Sequence, residues 1–286
     1  MKQKAMWPMV YFCFYIFLSA ETNTSGKIFY DYTRNLDNGS NAFSIKRGYL
    51  TFINNTNKNI AYKLTYDMGL NEAGSAHTAF LKEAMVKYTT LLGDVTIGMQ
   101  VMNMYKTMEN TWGHRFIKKG GMGVYRFSPS ADLGVGLTKG FGHMSTSAMF
   151  TNGGGFKKAE EDSHKKLSFH AVYGQTKLNE ENGFNFGSSL SLEPYDVDDT
   201  KTENINVMGI FVGYASFGFR GGLEFDTKKD GDIVDQIISL YGTYALSERL
   251  SFLARVDQVN LDTSNSGEAN QEIIVGLHHS LGQGII

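Results

Sequence analysis

Cysteine and proline are both scarce in this sequence. Its one cysteine, Cys13, lies in an apolar run near the N-terminus, and only 3 of the 286 residues are proline. A disulfide framework and a metal site built from several cysteines are therefore excluded. Because proline cannot donate a hydrogen bond to a β-ladder, its scarcity favours a chain whose backbone N–H groups are largely paired in sheets.

An excess of charge of either sign is also lacking. The chain has 27 basic and 29 acidic residues, a formal net charge of −2, which indicates neither a basic nucleic-acid surface nor an acidic tail. We therefore expect no nucleic-acid partner. Glycine, phenylalanine and tyrosine are abundant, at 32, 20 and 15 residues, and this composition is typical of large β-sheets, including those of membrane barrels.

Long apolar runs are confined to the N-terminus. There, Lys2 and Lys4 precede the apolar stretch 9–18, which ends shortly before the small residue Ala20. These are the three regions of a secretory signal peptide. The alternative is a transmembrane anchor, but the run is shorter than the roughly 20 apolar residues that a spanning helix needs. We expect residues 1–20 to be a signal peptide.

The rest of the chain shows repeated alternation of apolar and polar residues. In the segment 60–68, the even positions are large and apolar or aromatic, whereas the odd positions are small, charged or hydroxylic. Segments of about ten residues with this period are typical of membrane β-strands. The predicted strands are 26–35, 43–54, 59–69, 78–89, 93–104, 131–140, 144–152, 165–174, 184–193, 204–214, 217–226, 234–246, 249–260 and 271–281.

These segments predict an all-β fold, a transmembrane antiparallel β-barrel with an apolar outer face and a polar lumen. The alternative that the residues leave open is a secreted β-sandwich that binds carbohydrate, since sandwich strands also alternate. The predicted connections favour the barrel, because short and long links alternate as they do in bacterial barrels. The short links are 54–58, 140–143, 215–216 and 247–248. The long links are 70–77, 105–130, 152–164, 194–203, 227–232 and 263–270.

Several segments resemble a known family. They are 26–32, 43–52, 60–67, 110–116 with the following 130–135, and 150–156. They are similar to Gram-negative outer-membrane porins of the phosphate-selective type, in the branch common in marine and Bacteroidetes-like bacteria. The resemblance implies a passive diffusion channel for small polar or anionic solutes, located in the bacterial outer membrane.

The same resemblance implies an architecture and partners. A member of this family has 16 strands, forms a homotrimer, and contacts outer-membrane lipid and lipopolysaccharide. It would continue through one more hairpin after residue 286. We therefore expect a signal peptide at 1–20 and a barrel at 21–286 in which about fourteen strands are present and the closing hairpin is missing.

The segment 105–130 is the first candidate for a pore constriction, because it contains several cations. If this long link folds into the lumen, it brings its cations to the narrowest section and favours anions or sugars. These cations are Arg115, Lys118, Lys119 and Arg126. Alternatively, it is an extracellular loop that faces water or lipopolysaccharide phosphate. Arg115 is the strongest single candidate, because the family-like segment 110–116 contains it.

Charged residues within the predicted strands are further candidates for the pore lining. Lys46 and Arg47 are adjacent, so a regular strand cannot direct both to one face, and we predict a bulge or bend there. Cross-strand pairing is the structural alternative for the remaining candidates. Those candidates are Lys63, Asp67, Arg220, Glu224, Arg255 and Asp257.

Signs of catalysis are weak. The seven histidines show no metal-ligand spacing, and no nucleophile motif is present. We therefore predict no enzymatic activity, no cofactor and no metal. Two alternatives remain open: an outer-membrane hydrolase whose catalytic residues meet only in three dimensions, and a calcium site at the acidic stretch 196–199.

Overall fold

The computed structural model describes residues 22–71, 73–160, 163–198, 200–263 and 269–282. The segment interpreted as a signal peptide lies outside these residues. The described chain forms one antiparallel sheet of fourteen strands, each hydrogen-bonded to its neighbours in sequence. The strands are β1 (Asn23–Arg34), β2 (Asn41–Asn57), β3 (Ile60–Leu70), β4 (His77–Thr89), β5 (Asp94–Val101), β6 (Ala131–Phe141), β7 (Met144–Thr151), β8 (Lys166–Gly174), β9 (Gly183–Asp198), β10 (Lys201–Ser216), β11 (Phe219–Asp230), β12 (Ile233–Ala245), β13 (Leu250–Asn260) and β14 (Asn270–His279).

The fourteen predicted strands are confirmed, with ends that differ by a few residues. The larger departures are in β9, β10 and β11, which extend through most of the predicted long links 194–203 and 227–232 and meet in tight turns. A sandwich needs two packed sheets, so this single continuous sheet shows that the β-sandwich alternative is wrong.

The two faces of the sheet differ in exposure, as the alternation predicted. On β10, Met208, Ile210 and Val212 have 40 to 49% of their surface exposed. The residues that alternate with them, such as Val207 and Phe211, are buried on the other face. The outer face is therefore a continuous apolar surface, as a wall in contact with lipid requires.

The main apolar core lies inside the sheet, between one wall and the long link 102–130. Two short helices interrupt this link, α1 (Lys106–Trp112) and α2 (Gly121–Val124). Neither they nor any other described helix is long and apolar enough to cross a membrane. Met104, Met108 and Met122 of the link pack with strand residues, among them Val207 and Ile237. The link therefore folds inward and covers part of the wall.

The sheet curves until its two edge strands approach the same side chain. The ring of Phe116, in the inward link, lies 5.7 Å from the ring of His278 on β14 and 6.4 Å from the ring of Phe29 on β1. Edge strands at opposite ends of the sheet therefore face one residue of the interior. The sheet is rolled into a barrel around the link.

The links between strands separate into two ends of the barrel. Tight links at 58–59, 142–143 and 217–218 lie at one end, and the links 102–130 and 152–165 lie at the other. We call these the short-link end and the long-link end. The links 102–130 and 152–165 match the predicted long connections. The predicted long links 194–203 and 227–232 are at the same end, but they are tight turns because their strands extend further than predicted.

Two bulges turn extra charged side chains out of the regular alternation. In the pairing of β1 with β2, Phe29 lies opposite Arg47 and Tyr30 lies opposite Ile45, so Lys46 is the inserted residue. The predicted irregularity at Lys46 and Arg47 is therefore present. The pairing of β3 with β4 contains a second bulge, whose inserted residue is Lys82.

Candidate functional site

The inward link is fixed to one side of the barrel by α1, which packs against β10, β11 and β12. At its end, Trp112 is 1% exposed, and its ring meets that of Tyr241 edge-on at 5.7 Å. The Trp112 Nε1 donates a hydrogen bond to the carbonyl oxygen of Lys118 at 2.9 Å. Since Gly113 at the helix end has a φ of 74°, the left-handed region that suits glycine, the chain turns sharply after Trp112.

Ion pairs fill the space between the link and β13 and β14. The Arg255 Nε lies 2.8 Å from Asp257 Oδ1. The Lys118 Nζ lies 2.8 Å from Asp257 Oδ2 and 2.6 Å from Glu272 Oε2. Arg255 also donates from Nη1 to the Lys119 carbonyl oxygen at 3.0 Å. These side chains hold the link to the wall, and Lys118, Arg255 and Asp257, all predicted for the pore lining, line neither of the two cavities described below.

The predicted residues Arg220 and Glu224 lie behind the same link. Arg220 donates from Nη2 to the Trp112 carbonyl oxygen at 3.2 Å. Glu224 is 1% exposed, on the strand that α1 covers. His114 is in the same region, and burial together with the nearby Arg220 and His278 lowers its pKa to about 3. Its ring is therefore neutral near pH 7.

The opposite side of the barrel is open and contains two cavities. The smaller, of about 370 Å³, is lined by residues near the 58–59 link, such as Ile53 and Lys63, and so lies toward the short-link end. The larger, of about 1050 Å³, is lined by residues of the link 152–165 and lies toward the long-link end. Four side chains line both cavities: Lys82, Tyr105, Arg115 and Ser130. We call these four residues the shared section.

Ion pairs hold the charges at the shared section, on one wall and within the inward link. Asp67, which is buried, accepts from Arg47 Nη1 at 2.8 Å and from Lys82 Nζ at 3.4 Å. Arg115 lies with its Nε 3.1 Å from Glu109 Oε1. The predicted residues Arg47, Asp67 and Arg115 are therefore brought together around the larger cavity.

Cations dominate the larger cavity. Seven lysine and arginine residues line it, and Asp67 is the one acidic residue among the described lining residues. The cations are Arg47, Lys82, Arg115, Lys119, Arg126, Lys157 and Lys158. Among the described residues, the last four form no ion pair with a carboxylate. Burial, together with the positive charges of Arg47, Arg115 and Lys82, lowers the pKa of Lys119 to about 8.

The smaller cavity has a more balanced charge. Lys63, another predicted residue, lies 2.9 Å from Glu83 Oε1, and Thr65 donates to Glu83 Oε2 at 2.6 Å. Lys46 lies outside both linings and pairs with Asp31 on the neighbouring strand. The positive potential is therefore concentrated at the larger cavity and the shared section.

Sequence reasoning missed three of the cations that line the larger cavity: Lys82, Lys157 and Lys158. The sequence could have indicated Lys82, because Lys82 and Glu83 are adjacent charged residues within a strand, as Lys46 and Arg47 are at the other bulge. The other two lie in the link 152–165, where no periodicity indicates the direction of a side chain.

In the described part of the chain, no group of three or more histidine, cysteine, aspartate or glutamate residues is placed to hold a metal ion. In the acidic stretch considered for calcium, Asp196 instead accepts hydrogen bonds from His164 at 2.8 Å and from Thr202 at 2.9 Å. Asp199 lies outside the described residues.

No protein-family model and no curated protein matches this sequence, but solved structures match the fold. OmpF of Salmonella typhi, in complex with daunomycin, has a TM-score of 0.69 at 12% identity, over 91% of this chain and 86% of that one. OmpT, an outer membrane protein of Vibrio cholerae, has 0.59 at 11%, over 93% and 85%. An anion-selective porin from Comamonas acidovorans has 0.55 at 11%, over 91% and 99%. The chain therefore has the β-barrel fold of the porins.

Proposed function

We propose that this chain forms a water-filled channel through which small polar solutes diffuse passively and anions pass in preference to cations. The observation that supports this most directly is the arrangement of the two cavities. They lie toward opposite ends of the barrel and share lining residues, so together they form one passage beside the inward link. A polar passage narrowed by charged side chains selects solutes by size and charge.

The preference for anions follows from the charges of the passage. Seven cations and one acidic residue line the larger cavity, and such a potential raises the local concentration of anions and disfavours cations. The structurally similar porin from Comamonas acidovorans is described as anion-selective, which agrees with this assignment.

Location in the bacterial outer membrane is supported by the exposed apolar outer face and by the proposed signal peptide. An apolar face on every strand would aggregate in water, whereas in a bilayer it contacts lipid. In this location the chain contacts outer-membrane lipid and lipopolysaccharide, and we propose a homotrimer as its assembly. A passage that conducts solutes needs no catalytic residue, so we propose a channel and no enzymatic activity.

Conductance in planar lipid bilayers tests the proposal. Protein refolded in detergent should give discrete conductance steps, and Ser130→Trp should lower the step size, because Ser130 lines both cavities. The matched control is Ser247→Trp, on an exposed link at the short-link end, which should leave the step size unchanged. Protein that stays folded without detergent and never conducts would contradict the proposal.

A further inference from the structure

A second segment folds toward the passage besides the long link. The residues 153–158, between β7 and β8, line the larger cavity together with the shared section. They include Lys157 and Lys158, two of the four lining cations that have no ion pair with a described carboxylate. This segment, which we call the basic segment, therefore supplies about half of the uncompensated positive charge.

One buried carboxylate holds the basic segment. Asp132, which is 1% exposed, accepts the backbone N–H of Gly153 through Oδ2 at 2.6 Å. Its Oδ1 accepts the N–H groups of Gly155 at 3.2 Å and Leu133 at 2.9 Å. Among the described residues no cation pairs with it, so backbone donors alone satisfy its charge. Hydrogen bonds to an ionised acceptor are stronger than those between neutral groups.

The surroundings of the basic segment leave it little freedom. Gly155 has a φ of 80°, and a Cβ there would lie 2.8 Å from the Pro129 Cβ. Gly153 has a φ of 109°, and a Cβ there would lie 2.7 Å from Glu193 Oε1. Phe156 donates its N–H to the Ala131 carbonyl oxygen at 3.1 Å. The backbone conformation that donates hydrogen bonds to Asp132 therefore also places the two lysines at the cavity.

We infer that Asp132 is a positioning residue for ion selectivity: a buried acid that strengthens the preference for anions by holding the basic segment against the passage. The inference rests on the proposed function. It has an unusual consequence, because electrostatics alone predicts that removing a negative charge makes a pore more selective for anions. Positioning predicts the opposite sign.

The test is the ratio of chloride to potassium permeability, measured from reversal potentials in planar bilayers. Asp132→Ala should lower this ratio by about twofold or more, since the basic segment with its two lysines leaves the lining. Lys157→Ala with Lys158→Ala should lower it by a similar factor. Adding Asp132→Ala to the lysine double variant should cause no further fall, because both changes act through the same charges.

Two controls separate positioning from charge and from misfolding. Asp67→Asn removes a buried acid that pairs directly with Arg47 and Lys82, so it should raise the ratio. Asp132→Asn keeps one acceptor oxygen and should lower the ratio less than Asp132→Ala does. If the alanine variant does not insert into the bilayer, the asparagine variant still tests the direction in which the ratio changes.

A higher or unchanged ratio in the Asp132 variants, or a further fall when the variants are combined, would overturn this inference while leaving the channel intact. Wild-type protein that never conducts would refute the proposed function itself, and with it this inference. The two failures are therefore distinguishable.

Discussion

Arg115 Nη1 donates a hydrogen bond to the hydroxyl oxygen of Tyr49 at 2.8 Å. Tyr49 lies on β2, whereas α1, which precedes Arg115, packs on β10, β11 and β12. The Arg115 guanidinium also lies 5.5 Å from the centre of the Tyr49 ring. The bond therefore joins the inward link to a strand other than those against which the helix packs, and it places a cation at the shared section.

The first prediction concerns this cation. Arg115→Glu should lower the ratio of chloride to potassium permeability, because it reverses a charge at the shared section and adds an acid beside Glu109. The measurement is the reversal potential across a KCl gradient. Arg249→Glu is the matched control, since Arg249 lies on an exposed link, and it should change the ratio little. Equal ratios for wild type and Arg115→Glu would place Arg115 outside the conducting path.

The second prediction is a dependence of selectivity on pH. The pKa of Lys119 is about 8, so its ammonium is charged below that pH and neutral above it. The chloride preference should therefore be high at pH 6 and fall as the pH rises through about 8, near the pKa of this group. Lys119→Arg keeps its charge over this range, so the chloride preference of this variant should not fall. A variant that shows the same fall as the wild type would refute the assignment to Lys119.

A third prediction concerns the attachment of the inward link. Trp112→Ala removes a fully buried ring that contacts Tyr241 and Arg255, and large-to-small changes of this kind cost about 3–5 kcal/mol. We expect lower stability in denaturant titrations, together with larger and noisier conductance steps as the link detaches. Trp112→Phe keeps a ring and should show a smaller effect on both. Wild-type step sizes in Trp112→Ala would show that the link is held without this ring.

The outer face gives a fourth prediction. Leu190, near the middle of β9, is 47% exposed, and an arginine on the lipid face near the bilayer midplane costs about 2–4 kcal/mol. Leu190→Arg should lower the free energy of unfolding in lipid vesicles by this amount. The control Asn38→Arg, in the exposed link after β1, should have little effect. Equal stabilities of the two variants would argue against a lipid-facing β9.

The strands were predictable because lipid outside and water inside impose opposite demands on successive side chains. This alternation is visible in β3, where Leu64 and Tyr66 face outward and Lys63 and Asp67 face inward. The two short helices were not predictable in the same way. Tertiary packing of Met108 and Trp112 against the barrel wall specifies α1, and seven residues carry too little periodicity to indicate it.

The pore lining was only partly predictable, for a related physical reason. Alternation shows which side chains point inward, but it does not show where the interior is filled. The two cavities are lined by Arg47, Lys63, Asp67, Arg115 and Arg126, among others. The region that the long link covers contains Arg220, Glu224, Arg255 and Asp257, and Lys118 of the link pairs with Asp257 there. Distinguishing the two sets requires knowing which wall the link packs against, and long-range contacts such as that between Trp112 and Tyr241 decide this.

The most direct test of the account is the sign of the wild-type reversal potential in a tenfold KCl gradient across a planar bilayer. An open passage lined by excess positive charge predicts a potential of the sign set by chloride. The magnitude should shrink at high ionic strength, where salt screens the fixed charges. A potential of the sign set by potassium, or the absence of conductance in correctly folded protein, would contradict it.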